Sequence, residues 1–144
     1  MVMVLDASVV VKWFVPEPLS AMAEAVLEEY SDFVAPELLR IEVSSGITRK
    51  VRNRELSASI AYEKLHDWKK FLAANKIELI PSEELLEDAE KLSIELRHPL
   101  KDCFYLAAAN QYKLPLFTAD QVFIDAIGKR FPNVKHLASF KASH

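Results

Sequence analysis

The sequence predicts a single α/β domain in which a parallel sheet of about five strands, ordered 3-2-1-4-5, lies between two layers of helices. Three observations predict it. Short apolar runs alternate with longer segments whose apolar residues recur at helical spacing, the pattern of successive right-handed βαβ units. The first run, Val2-Met3-Val4-Leu5, is apolar on both faces, as a central strand covered by helices on each side must be. No linker, repeat or low-complexity segment divides the 144 residues, so residues 1–144 read as one domain.

The elements follow in order. After the first strand, Ala7 and Ser8 lead into a short helix over Val9–Phe14, and Pro16-Glu17-Pro18 breaks the pattern. Leu19 to Tyr30 reads as a helix with Met22, Ala23, Val26, Leu27 and Tyr30 on one stripe. Phe33-Val34-Ala35 is a short buried strand stopped by Pro36. The next helix runs from Glu37 to about Asn53, with Leu38, Ile41, Val43, Ile47 and Val51 as its apolar stripe. Ser57 is the expected N-cap of a helix to about Ala73, facing Ile60, Leu65, Trp68 and Leu72 inward. Ile77–Ile80 is the third strand, ended by Pro81. Ser82, Glu83 and Glu84 open an acid-started helix to about Arg97. His98-Pro99 interrupts it before an Ala-rich helix from Asp102 to Tyr112, of the kind that packs close to a sheet. Leu116-Phe117 is the fourth strand, Asp120 caps a helix to about Arg130, and Val134–Leu137 is the last strand. The tail from about residue 139 is expected to be frayed, above all Lys141 to His144.

Composition narrows the function classes. A content of 51% hydrophobic and 27% charged residues describes an ordinary soluble globular protein. The net charge of -3 gives no general attraction for nucleic acid, so RNA binding would need a local basic patch. A lone cysteine, Cys103, builds no disulfide framework, which points to the reducing cytoplasm. No apolar stretch approaches the ~20 residues of a membrane span, and no basic segment precedes the first apolar run as in a signal peptide. Only Gly46 and Gly128 are glycines, so neither a dinucleotide fingerprint nor a Walker A loop can be written, and no nucleotide cofactor is expected.

Four acids stand where a helix begins or where apolar neighbours make a charge costly. Asp6 ends the first strand. Glu42 follows a helix start and lies between Ile41 and Val43. Asp102 opens the Ala-rich helix, and Asp120 follows the fourth strand by two residues. With the order 3-2-1-4-5, strands one and four are neighbours, and Asp6 and Asp120 flank the crevice where the strand order reverses. The helices bearing Glu42 and Asp102 reach that crevice from either side. Like charges ~4 Å apart repel by about 4 kcal/mol at an effective dielectric of ~20. A divalent cation removes that cost, and oxygen-only ligands favour Mg²⁺ or Mn²⁺ over zinc. Such an ion polarises a phosphoryl oxygen and makes a hydroxide nucleophile from bound water.

The same residues carry a family resemblance. Asp6-Ala7-Ser8-Val9-Val10-Val11-Lys12-Trp13-Phe14, Pro36-Glu37-Leu38-Leu39-Arg40-Ile41-Glu42-Val43, Lys101-Asp102-Cys103-Phe104-Tyr105-Leu106-Ala107-Ala108 and Thr118-Ala119-Asp120 resemble the signatures of PIN-domain ribonucleases. More narrowly they resemble the VapC toxins of toxin–antitoxin pairs. The likeness covers essentially the whole chain, in motif order, spacing and size. It implies a magnesium-dependent endoribonuclease with Asp6, Glu42, Asp102 and Asp120 as its acidic quartet. It further implies Ser8 and Thr118 as polar support near the metal, a homodimer, and inhibition by a cognate VapB antitoxin. Lys101 stands where an aromatic residue is common in the family, a departure that bears on substrate preference.

Substrate contact needs cations. Ser45, Gly46 and Arg49 share the helix face of Glu42, and Arg49-Lys50-Val51-Arg52-Asn53-Arg54 is the densest basic run. Arg49, Arg52, Lys12 and Lys101 are therefore the candidates for holding RNA phosphates.

Each site residue also has a structural account. Asp6 and Asp120 can cap the helices that follow them, Asp102 can complement a helix dipole, and Glu42 can be a solvated helical residue. His98 reads as structural, Cys103 as a small buried residue, and Trp13 and Trp68 as core, dimer surface or antitoxin groove. A phospho-signalling receiver would want adjacent acids after strand one and an aspartate after strand three, where Ile77-Glu78-Leu79-Ile80-Pro81 has none. A phosphatase with an Asp-x-Asp nucleophile fails because Ser8 replaces the second acid. A PIN-fold RNA- or protein-binding module without significant catalysis is the remaining rival.

Overall fold

The computed structural model describes residues 1–142. Five parallel strands form one sheet in the order β3-β2-β1-β4-β5, with β1 (Val2–Leu5), β2 (Asp32–Pro36), β3 (Ile77–Ile80), β4 (Leu116–Thr118) and β5 (Val134–His136). The predicted architecture and strand order are those observed. β1 is central, pairing Val4 with Val34 on one side and with Leu116 on the other, and Met3, Val4 and Leu5 are wholly buried.

Helices α1 (Ala7–Phe14) and α2 (Ser20–Glu29) connect β1 to β2, and α3 (Leu39–Arg52) and α4 (Ala58–Ala73) connect β2 to β3. Helices α5 (Ser82–Leu96) and α6 (Leu100–Tyr112) run from β3 back across the sheet to β4, and α7 (Gln121–Ile127) follows β4. Right-handed crossovers put the first four helices on one face and α5 to α7 on the other, because the chain reverses its direction across the sheet after β3. α6 is the buried centre of its layer. Every residue from Cys103 to Ala109 is buried, so its small side chains let it lie against β1, β2 and β4 while α5 covers its outer side.

On the opposite face an aromatic cluster joins α1, α4 and β2. Trp13 lies 5.8 Å from Phe33 and 5.4 Å from Phe71, and Phe14 lies 5.8 Å from Trp68. Both indole N–H groups are satisfied by backbone, Trp13 donating to the Ala23 carbonyl at 2.7 Å and Trp68 to the Arg40 carbonyl at 3.3 Å. Trp68 is 1% exposed and so belongs to the core.

The boundaries differ from expectation where local chemistry intervenes. Leu19 has φ 69, a left-handed conformation, so α2 starts at Ser20. α3 begins at Leu39 because Arg40 and Ile41 first donate to Glu37 and Leu38, three residues back. α6 starts at Leu100, two residues before Asp102. Gly128, at φ +57, ends α7 early, and a 3₁₀ turn carries the chain over Gly128–Arg130. Ile41 and Ile60, expected on inward stripes, are 69% and 42% exposed. The loose tail expected from about residue 139 is corrected at Phe140, which is buried and packs edge-on against Phe117 at 5.3 Å after a second 3₁₀ turn at Leu137–Ser139. Residues 143 and 144 lie outside the described residues.

Candidate active site

The C-terminal ends of β1 and β4 adjoin, and the chain leaves them towards opposite faces, β1 into α1 and β4 into α7. This switch point opens a cleft of ≈ 150 Å³ lined by Asp6, Glu42, Asp102 and Asp120 together with Ser8, Gly46, Arg49 and Thr118. All four predicted acids therefore face one space, brought there from four separate elements.

Asp6 and Asp120 both cap the helices that follow them and both line the cleft. Asp6 caps α1, its Oδ2 accepting from the Ser8 N–H at 3.2 Å, and Asp120 caps α7, its Oδ1 accepting from the Phe123 N–H at 3.2 Å. Two hydroxyls tie these caps together across the strand ends. Ser8 Oγ donates to Asp6 Oδ2 and accepts the Ala119 N–H at 3.0 Å. Thr118 Oγ1, fully buried, donates to the same Asp6 oxygen at 3.1 Å and accepts the Asp120 N–H at 3.1 Å. The two predicted supporting residues thus hold Asp6 and the Asp120 turn in one lattice.

The remaining acids are held by His98 and Tyr105, which the sequence did not mark as part of the site, and by Lys101, which it marked for substrate. Asp102 Oδ2 lies 2.8 Å from His98 Nε2, and the buried imidazole is tilted against Phe123 with ring centroids 5.0 Å apart. Glu42 Oε1 accepts from the Tyr105 hydroxyl at 2.7 Å, and Glu42 Oε2 lies 3.6 Å from the Lys101 ammonium. Spacing could have marked Tyr105, which stands three residues after Asp102 on the same helix, but not His98, which precedes the helix cap Pro99 and reaches Asp102 from outside α6.

The electrostatics follow from burial. Desolvation pushes the Asp6 carboxyl from 3.8 up to about 6, with the hydrogen bonds from Ser8 and Thr118 opposing the rise and the charge of Asp102 adding to it. The Tyr105 hydroxyl is raised well above its ordinary value, first by burial and then by the charges of Asp6 and Glu42, so it stays a donor. Burial raises the Cys103 thiol to about 11, which leaves it unreactive.

Asp6, Asp102 and Asp120 each commit one oxygen to the protein, and the other accepts no hydrogen bond among the described residues. None of these free oxygens is sealed from solvent. Glu42 has both oxygens engaged. The donor set fits a hard cation in kind: it offers carboxylate oxygens only, with free lone pairs, around an acid whose ionisation its neighbour opposes. As positioned, no three His, Cys, Asp or Glu side chains among the described residues close on one point as an ion would require. Sharing a wall and sharing a ligation centre are different conditions, and the side chains meet the first.

The cations divide. Arg49 lines the cleft and also an adjoining groove of ≈ 510 Å³, and it has no ion pair among the described residues. Lys12 lines the groove but pairs with Glu17 at 3.3 Å. Lys101 pairs with Glu42, as above. Arg52 is exposed and lines neither space. Lys50, passed over in the sequence beyond its place in the basic run, lies in the groove and pairs with Glu17 at 2.7 Å.

The chain as a whole is similar to known proteins. A family model described as "PIN domain" matches residues 3–129. The chain is 26% identical over 132 residues to "Ribonuclease VapC3" of Pyrobaculum aerophilum, covering 92% of this chain and 96% of that protein. Among solved structures it resembles a chain of "Toxin-antitoxin complex from Klebsiella pneumoniae" with a TM-score of 0.67 and 18% identity, over 94% of this chain and 97% of the other, a likeness of fold.

Proposed function

The chain belongs to the PIN-domain family, and from that premise we propose that it is a metal-dependent endoribonuclease, the toxin of a VapBC-type toxin–antitoxin pair. The observation that carries this reading is the meeting of Asp6, Glu42, Asp102 and Asp120 on one cleft at the strand switch point, with an oxygen of each aspartate left unbonded. The ribonuclease name of the relative from Pyrobaculum aerophilum, matched along nearly its whole length, supports the same chemistry.

The free oxygens of Asp6, Asp102 and Asp120 would hold Mg²⁺ or Mn²⁺. When bound there, such an ion supplies charge neutralisation and Lewis acidity towards a phosphoryl oxygen and a water. The chain's own contribution is positioning. Ser8 and Thr118 fix Asp6, the Phe123 N–H fixes Asp120, and His98 fixes Asp102. Tyr105 and Lys101 restrain Glu42 at the edge of the same cleft, where its carboxylate can orient water or take up a proton. Arg49, at the junction of cleft and groove and without an ion pair among the described residues, is placed to hold an RNA phosphate beside the acids. An antitoxin that covers this cleft, a homodimer and a cytoplasmic setting complete the proposal.

The test separates catalysis from the rival binding module. Purified protein is titrated with Mn²⁺ by calorimetry and then offered total RNA, beside Asp6→Asn. Binding of the ion and metal-dependent cleavage by the wild type, both lost in the variant, are expected. A folded Asp6→Asn protein that cuts RNA as the wild type does would overturn the assignment. No ion binding at millimolar Mn²⁺ would favour the module.

A further inference from the structure

The groove beside the acid cleft shares Ser8, Gly46 and Arg49 with it and contains an arrangement that the acid chemistry does not use. Lys12 on α1 and Lys50 on α3 both aim their ammonium groups at Glu17, each at a different carboxylate oxygen, 3.3 Å to Oε1 and 2.7 Å to Oε2. The three side chains are 10%, 17% and 21% exposed, so they lie within the groove wall.

Glu17 is held out to the lysines by its loop. Pro16 and Pro18 restrict the backbone on either side. The Glu17 N–H donates to Ser20 Oγ at 3.0 Å, and Leu19 takes a left-handed φ of 69 to start α2. The resulting centre is one singly charged group with two oxygens, bridged by two cations from different helices. A phosphodiester has that same shape and charge: two non-bridging oxygens that share one negative charge. Two lysines share this single carboxylate, so the seat keeps a net positive charge for which a polyanion can compete.

We infer that Lys12 and Lys50 form a phosphate subsite for an RNA strand entering the acid cleft, and that Glu17 occupies that subsite in the free protein as a built-in competitor. The inference rests on the endoribonuclease reading and deepens it. Arg49, without an ion pair among the described residues, makes the first phosphate contact, and the Lys12–Lys50 seat becomes available only when the strand pushes Glu17 aside. Glu17 thereby weakens binding of any short or poorly placed RNA.

The experiment measures binding of a labelled single-stranded oligoribonucleotide by fluorescence polarisation, in EDTA so that nothing is cut, across a range of salt. Wild type is compared with Glu17→Gln, Glu17→Ala and the double variant Glu17→Gln/Lys50→Gln, with thermal melts to establish that each is folded. Each phosphate contact on a single strand steepens the log–log salt slope by about 0.7, equal to about fivefold in affinity at 0.1 M salt. Removing Glu17 takes away one negative charge, so Glu17→Gln and Glu17→Ala are expected to bind more tightly by about one such factor, and the double variant to lose that step again. If the wild type binds RNA and both Glu17 variants bind no more tightly with the same slope, the subsite is overturned and the endoribonuclease reading stands. If no version binds RNA at low salt, the endoribonuclease reading falls and the subsite with it.

Discussion

Asp6→Asn should make the metal-free protein more stable while it abolishes activity. Asp6 is 8% exposed, and its carboxyl is raised from 3.8 to about 6, chiefly by burial. The folded value lies above the unfolded one, so the stability that Asp6 contributes is fully present below about pH 4 and is lost as pH rises through about 6. Above that, an ionised Asp6 weighs against folding by about 3 kcal/mol relative to its protonated form. Asparagine carries no charge and still accepts from Ser8 and Thr118 through its carbonyl oxygen, but those bonds lose their ionic strengthening. A net gain of about 1–3 kcal/mol at pH 8 remains, or a melting temperature higher by roughly 3–9 °C for a chain of this size. Thermal unfolding in EDTA at pH 8 and at pH 4 measures it. The gap between variant and wild type should close at pH 4, where Asp6 is itself protonated. A variant less stable than wild type at pH 8, or a gap indifferent to pH, would refute the reasoning.

Two further substitutions probe how the cleft is held. A Cβ at Gly46 would stand 2.7 Å from Val11 Cγ2, so Gly46→Ala must displace the Val11 side chain or move α3 away from α1. Overpacking of this kind costs about 1–3 kcal/mol, against a gain of up to about 1 kcal/mol in helix propensity; a lower urea midpoint is expected, and an unchanged or higher one would show that the helices yield freely. Tyr105→Phe removes the donor to Glu42. Stability should fall by only about 1 kcal/mol, whereas RNA cleavage should fall by about 10–100-fold, as when a ligand's supporting hydrogen bond is lost. Full activity would mean that Glu42 needs no fixing.

Most of the fold was legible because burial writes itself into hydrophobic spacing. Val2–Leu5 could only be a strand covered on both faces, and Cys103–Ala109 only a helix wedged against a sheet. Positions whose exposure depends on a neighbour's reach were misplaced: Ile41 and Ile60 fit a stripe, yet they remain 69% and 42% exposed. The tail misled for the converse reason. Phe140 has no periodic company, and its burial depends on Phe117, far away in the chain.

The sequence by itself determined the sheet, the helices and the identity of the four acids, because a charge at the end of an apolar strand or in the first turn of a buried helix is costly and therefore conspicuous. Only the tertiary structure decided how those acids are held. His98 belongs to Asp102, Tyr105 and Lys101 to Glu42, and both Ser8 and Thr118 to a single oxygen of Asp6. It also decided which cations face the cleft, leaving Arg49 without an ion pair among the described residues, tying Lys12 and Lys50 to Glu17 and turning Arg52 away. The physical reason is range. Periodicity reports whether a side chain is buried, a property of its own element, whereas hydrogen bonds and ion pairs act over about 3–4 Å between atoms that folding brings together from distant parts of the chain.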